Sequence, residues 1–252
     1  MRKIEFFSVV PGVVEAFPVR YAKDVIPNWL QTARLDYMKS DKRDQTVVRC
    51  PGVLDILTTG FVIQSWHDFD ITFTQEKVSL TIPGQEINDM LGKHSLQIQT
   101  AEGLAKNLPK RPWSQRPILK INTPYQVLAP KGIRFIMIPL PYTELFDLEA
   151  TPGILDPGHS TEINIQCYMN IGYGTKTIKA GTPLAQLIPL TDEKFEMVCR
   201  DATDKDREWT KKRHFLGLSS FVFNRTRSKE SYERHVDEHF KESKCPFHFW
   251  KK

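Results

Sequence analysis

The segment from Pro152 to Leu190, PGILDPGHSTEINIQCYMNIGYGTKTIKAGTPLAQLIPL, limits what this chain can fold into more than any other stretch. It opens on a tight turn, Gly153-Ile154-Leu155-Asp156-Pro157-Gly158, and continues into an alternating strand over 162–168. A Gly-rich loop follows at Gly172 and Gly174. A short strand then leads to the turn Lys179-Ala180-Gly181, and an apolar strand over 184–190 closes the unit. Turn formers at this spacing leave no room for long helices, so short strands folded back on one another are expected.

The remaining chain extends the pattern. IEFFSVV at 4–10 is β-branched and aromatic and reads as a strand stopped by Pro11-Gly12. From Tyr21 to Met38 the spacing turns helical, with Ile26, Trp29, Leu30, Ala33 and Tyr37 on one face and Pro27 in the first turn. A strand is expected at 47–50, a brief helix at 51–59 ended by Gly60, and a strand at 61–66. DITFT at 70–74 and KVSLTI at 77–82 alternate cleanly and suit a hairpin. Residues 86–91 suit one helical turn, whereas much of 93–116 carries no period and reads, with 83–92, as a long insertion acting as lid or contact arm. Trp113 in KRPWSQRP suits a plug at the edge of the core, or an anchor for a partner. Strands follow at 118–122, 125–128 and 133–139, the last two joined by Pro130-Lys131-Gly132. A final strand spans 195–200, and from Asp204 the pattern is helical and polar. The chain is therefore expected to be mainly β, with a core at 1–200 that includes the insertion 83–116, and a helical extension at 201–252.

Composition bounds the function. The net charge is +5, and residues 201–252 hold a surplus of four positive charges mixed with acids, which suits a solvated helical face or a polyanion contact. No apolar run approaches the roughly 18 residues a membrane helix needs, and Met1-Arg2-Lys3 leads straight into a strand with no signal-peptide pattern. Cys50, Cys167, Cys199 and Cys245 are scattered, as suits reduced thiols in a cytoplasm.

The late unit resembles the C-terminal half of the dUTPase/dCTP deaminase superfamily, which has a trimeric β-clip fold. The matching residues are Gly153 to Gly158, Glu162-Ile163-Asn164-Ile165, Asn170-Ile171-Gly172, Lys179-Ala180-Gly181-Thr182 and Ala185-Gln186-Leu187-Ile188. YQVLAPKGIRFIMIP at 125–139 resembles the preceding strand–turn–strand. The whole chain is also similar to uncharacterised phage and bacterial proteins, through Cys50-Pro51-Gly52, Trp66-His67-Asp68, Gly181-Thr182-Pro183 and Gln186-Leu187-Ile188-Pro189. These resemblances imply a dUTPase-like β-clip core, a homotrimer, a nucleotide ligand and a viral setting, in host cytoplasm or in the virion.

The resemblance also implies where chemistry should sit. Asp156 falls at the turn aspartate, His159 near the position of the aromatic that stacks on deoxyribose, and Gln166 where a deaminase places its general acid/base. An amide cannot move that proton. Glu162 lies on the same strand face at the wrong point, and Gln186 falls in the closing strand as a ligand contact. The phosphate-gripping Ser/Arg motif should follow Pro139, yet the chain reads Leu140-Pro141-Tyr142-Thr143-Glu144, with an acid that repels phosphate. A phosphate lid is hinted at only by Gly217-Leu218-Ser219-Ser220 after Lys211-Lys212-Arg213. Mg²⁺ enters only if the chain is a nucleotide hydrolase with Asp156 as base. Asp156 read on its own is a turn residue capping nearby N–H groups. Separately, His235, His239, Cys245 and His248 could supply four zinc ligands, or be solvated tail residues. His67 and Asp68 are adjacent and would point to opposite faces of a strand. Three readings follow: a degenerate, non-catalytic binding or regulatory trimer; a virion structural or assembly protein, with 83–116 and 204–252 as contact arms; and a divergent hydrolase.

Overall fold

A computed structural model describes residues 2–40, 46–74, 78–81, 96–99, 109, 111–114, 118–218 and 223–242. Its elements, in chain order, begin with β1 (Arg2–Ser8), a short helix α1 (Val13–Ala16), β2 (Arg20–Tyr21), a 3₁₀ turn (Ala22–Asp24) and α2 (Asn28–Lys39). A second 3₁₀ turn (Val47–Arg49), α3 (Pro51–Thr58), β3 (Phe61–Gln64), β4 (Phe69–Phe73), β5 (Val78–Thr81) and β6 (Leu96–Gln99) follow. Then come β7 (Ile118–Leu128), β8 (Phe135–Ile138), β9 (Leu148–Ala150), β10 (Gly153–Leu155), β11 (Glu162–Met169), β12 (Gly174–Ile178), β13 (Pro183–Pro189) and β14 (Phe195–Asp201). Two helices, α4 (Asp204–Leu218) and α5 (Phe223–Glu242), end the described chain. The fold is mainly β, with the helices at the N-terminal third and the C-terminal end.

Three sheets form among the described residues. The largest runs β14-β1-β7-β11-β9, with β6 also paired to β7; the second runs β10-β8-β13-β3-β2; the third runs β12-β4-β5. Pairing is antiparallel except between β1 and β14, which run parallel from Arg2↔Phe195 to Ser8↔Asp201. Alternation in β4 and β11 turns Phe69, Ile71, Phe73, Ile163, Ile165 and Cys167 inward, where they meet Ile4, Phe6, Tyr125, Phe135 and Leu187 in one core. Tyr125 is wholly buried, and its hydroxyl donates to the Phe17 carbonyl, the partner a buried phenol needs. The dry surroundings raise its pKa and push the Cys167 thiol up to about 12.

Several expectations need correction. The strand expected at 47–50 is a 3₁₀ turn: Arg49 N–H bonds to Thr46, and Val48 is buried with Leu30 and Leu57 between α2 and α3. β-branched residues gain extended structure beside a partner strand, and among the described residues none pairs with this stretch. Helix α2 begins at Asn28, not at residue 21, because Pro27 is extended (ψ 144°) as its N-cap. The apolar face is otherwise as read, with Ile26, Trp29, Ala33 and Tyr37 packed around Leu30. The two strands expected at 118–122 and 125–128 are one, β7, since the carbonyl of Pro124 accepts the Val9 N–H instead of ending the strand. The stretch 93–116, read as lacking period, contains β6, which pairs with β7 from Leu96↔Ile121 to Gln99↔Ile118. The 70–74/77–82 hairpin is present as β4 and β5. The helical turn expected at 86–91 lies outside the described residues.

Helix α5 packs its Tyr232 and Val236 against Phe7 and Leu128 on the outer face of the large sheet. The Tyr232 hydroxyl accepts the Ala129 N–H (2.9 Å) and donates to the Ala129 carbonyl (2.8 Å), closing both backbone groups just past β7. Tyr232→Phe leaves both buried and unmet, so thermal or urea unfolding should register a loss of roughly 1–3 kcal/mol. Gly60, which follows α3, has φ +84°, and a Cβ there would overlap the Leu187 carbonyl on β13. Gly60→Ala should therefore cost at least about 3 kcal/mol by the same measurement.

Candidate functional site

The Asp156 turn is built from the end of β10. The Asp156 carbonyl accepts the N–H groups of His159 (2.8 Å) and Ser160 (3.0 Å), and carboxylate Oδ1 accepts the Gly158 N–H (2.9 Å). His159 Nε2 lies 3.7 Å from Oδ2. The turn is pressed from outside by α5: a Cβ on Gly158 would meet Asp156 Oδ1 at 2.9 Å and Lys229 Cγ at 3.4 Å. What remains is a recess of about 160 Å³ lined by Arg134, Asp156, Lys229, Tyr232 and Glu233 among others. Ligand pockets usually span about 300–1,000 Å³. Arg134 and Lys229 share this recess with Asp156, but neither reaches ion-pair distance of its carboxylate. Glu233 is held by Lys131 at 2.8 Å.

The structure brings Asp156 and His159 together but not the two glutamines. Asp156 follows the Leu155↔Phe135 pair at one end of β8, whereas Gln186 pairs with Ile138 at the other. Gln166 faces Lys120 across β11 and β7, and its carbonyl takes the Thr151 N–H at 2.6 Å. Gln186 is 2% exposed; its Nε2 donates to the carbonyls of Ile56 (2.8 Å) and Thr59 (2.6 Å). It thus caps the last turn of α3, whose carbonyls have no helical partner. Glu162 begins β11, with its N–H on Ser160 Oγ.

The segment after β8 has a role that sequence reasoning missed. Tyr142 sits at φ +53°, a left-handed conformation uncommon outside glycine and asparagine, of a kind that gathers at binding sites. Trp29 holds it there: the indole Nε1–H donates to the Tyr142 carbonyl at 2.8 Å, and the two rings lie 5.9 Å apart. The segment Leu140–Leu145 separates two recesses. One, about 520 Å³, includes Trp113, Tyr142, Phe146 and Glu149 in its wall. The other, about 310 Å³, runs between this segment and α2 and α3, with Gln186 in its lining. No lysine or arginine is among the described residues of either wall. Glu149 is paired with Arg111 at 3.2 Å. Trp113 is 40% exposed with its edge against Tyr168, half plug and half surface. A positive φ at a tyrosine leaves no sequence signal, which is why this feature was invisible beforehand.

The C-terminal histidines lie on a helix–sheet seam. His239 Nε2 is 2.9 Å from Glu5, and Arg200 bridges Glu5 (2.9 Å) and Asp206 (2.6 Å). His235 stacks on Trp209, rings 4.3 Å apart and 6° from parallel. Cys245 and His248 lie outside the described residues, and no cluster of three metal-binding side chains occurs among the described ones. His67 contacts the Asp68 carbonyl, while the Asp68 carboxylate holds Lys179 (2.8 Å) and the Ala180 N–H (2.7 Å), so the two do not act as a pair. No helix among the described residues is long and apolar enough to cross a membrane.

No family model matches the chain, and no curated protein matches it. Among solved structures it is similar to the native dUTPase of EIAV, at 19% identity over 50% of this chain and 88% of that one, with a TM-score of 0.27. An overlap this loose transfers no residue role.

The seam gives a pH dependence with a definite sign. Burial, then the neighbouring His239, holds His235 below its ordinary pKa. Burial pushes Glu5 and Asp206 up, but hydrogen bonds outweigh it and hold both down: His239 and Arg200 on Glu5, Arg200 and Thr203 on Asp206. A group depressed on folding contributes stability above its unfolded pKa and loses it as pH falls through the folded value. Melting temperature should hold steady between about pH 6.5 and 8, fall through a first step below that as His235 charges, and fall again below about pH 4. His235→Phe should remove the first step and keep the second.

Proposed function

We propose that this chain is a non-catalytic binding or regulatory protein of the β-clip kind, which holds a nucleotide-like ligand and works as a homotrimer. The observation that carries this reading is the state of Asp156. Its carboxylate accepts the N–H of its own turn, and α5 lies against that turn, leaving about 160 Å³ beside it. The turn uses only Oδ1, and Oδ2 lies 3.7 Å from His159, so what argues against a base for water is the recess, too small to seat a triphosphate beside that oxygen. Support also comes from the segment after Pro139, where a hydrolase would grip phosphate: Leu140 to Phe146 offers Glu144 and no cation. The resemblance of the late strands to nucleotide-handling trimers supplies the ligand class and the subunit number. The division into a core at 1–200 and a helical extension at 201–252 belongs to the same reading, with the extension closing the old site.

A second reading, a virion structural or assembly block, is favoured by large apolar side chains left at the surface: Phe146 is 73% exposed, Tyr173 76% and Ile154 57%. Stoichiometric presence in purified particles would decide for it.

The main reading is tested by incubating the protein with dUTP and with dCTP plus Mg²⁺ and assaying pyrophosphate and ammonia. The expected result is release no faster than in buffer, unchanged by Asp156→Asn. Turnover that Asp156→Asn abolishes would overturn it.

A further inference from the structure

The cleft between α2, α3 and the 140–145 segment carries more than its size. Its walls are apolar, built from Val25, Ile26, Leu57, Leu145 and three prolines: Pro27, Pro141 and Pro183. Gln186 lies in the lining and is almost wholly buried. An amide nitrogen has two hydrogens, and both are spent, one on Ile56 and one on Thr59. Those two carbonyls also fix which end of the amide is which. The side-chain oxygen is then all that Gln186 has left to offer, and no donor among the described residues meets it. That oxygen is not one of the enclosed polar atoms left without a partner, so it stays reachable and can accept a hydrogen bond from an occupant of the cleft. Asn28 and Thr143 add further polar groups at the cleft, and Glu144 is its charged residue.

We infer that this cleft is a binding site for a small neutral heterocycle, with a ring N–H donated to the Gln186 side-chain oxygen. The volume, about 310 Å³, is at the lower end for ligand sites, so the occupant is of base or nucleoside size. The lack of any lysine or arginine among the described lining residues, with Glu144 present, selects against phosphate. The site thus deepens the nucleotide-like reading given above, on which it rests, by choosing the uncharged part of such a ligand. It also places the ligand at the far end of β8 from Asp156. Trp29, bonded to the backbone of Tyr142 beside the cleft, is a built-in reporter of occupancy.

The test is titration of the full chain with thymidine, N3-methylthymidine and dTTP, read by calorimetry and by tryptophan fluorescence. Thymidine should bind. N3-methylthymidine, lacking the ring N–H, should bind roughly tenfold more weakly, the equivalent of one hydrogen bond. dTTP should bind no more tightly than thymidine. Val25→Trp, which fills the cleft without touching Gln186, should weaken thymidine binding at least about tenfold while leaving the melting curve in place. Gln186→Leu should also abolish binding, but it uncaps α3, so the Val25 variant is the cleaner arm. Failure of thymidine to bind at millimolar concentration, equal binding of the methylated compound, or binding untouched by Val25→Trp would each overturn the inference. Turnover of dUTP through Asp156 would instead sink the non-catalytic reading and leave the cleft result standing.

Discussion

The pairing of β7 with three other strands is the constraint on which the rest of this structure depends. Its C-terminal half, Tyr125 to Leu128, pairs with β1, while its N-terminal half pairs with β11 on one side and β6 on the other. Thr123 donates to the Ile163 carbonyl (2.6 Å), and the Val127 N–H reaches the Thr161 carbonyl (2.9 Å), so the strand is stitched to β11 even where the register shifts near Glu162. Leu128 and Ala129 then form the seat on which Tyr232 of α5 rests. Because α5 is seated there, Lys229 and Glu233 fall over the Asp156 turn. The state of the supposed catalytic carboxylate therefore follows from the register of a strand nearly thirty residues upstream.

The unit at 152–190 was legible because its turn formers and alternation act locally. Gly181 takes the positive φ its turn needs, β11 alternates inward and outward as read, and Lys179-Ala180-Gly181 turns the chain into β13. What failed was decided by distant partners. Val47-Val48 has a strand-like composition, but α2 and α3 offer a pocket for Val48 rather than a ladder. Residues 118–128 read as two strands and form one, since the Pro124 carbonyl within it is used by Val9. Asp156 and His159 share a turn, so local sequence places them together; Gln186 reads as a ligand contact, and nothing local says that its amide caps α3. The left-handed Tyr142 had no signature at all, for it is held by Trp29, more than a hundred residues away in sequence.

Two regions of the molecule thus divide what a phosphate-binding site would combine. Around Asp156 there are cations but little space; around Leu140 to Phe146 there is space, and no lysine or arginine among the described residues that line it. Phosphate affinity needs both in one place, because the charge must be met at hydrogen-bond distance inside a cavity large enough to hold it. Apolar walls with one buried amide favour a neutral ligand, and the exposed rings of Tyr142 and Phe146 extend that apolar character to the surface.

The central claim is that the Asp156 carboxylate is committed to its own turn beneath α5. Hydrogen exchange at the Gly158 amide measures this directly, since that N–H is the one the carboxylate accepts. The account predicts a protected amide in the wild-type chain and a sharp loss of protection in Asp156→Ala. An amide that exchanges at the free rate in the wild type, with no change in the variant, would mean that the carboxylate is unengaged and open to a substrate.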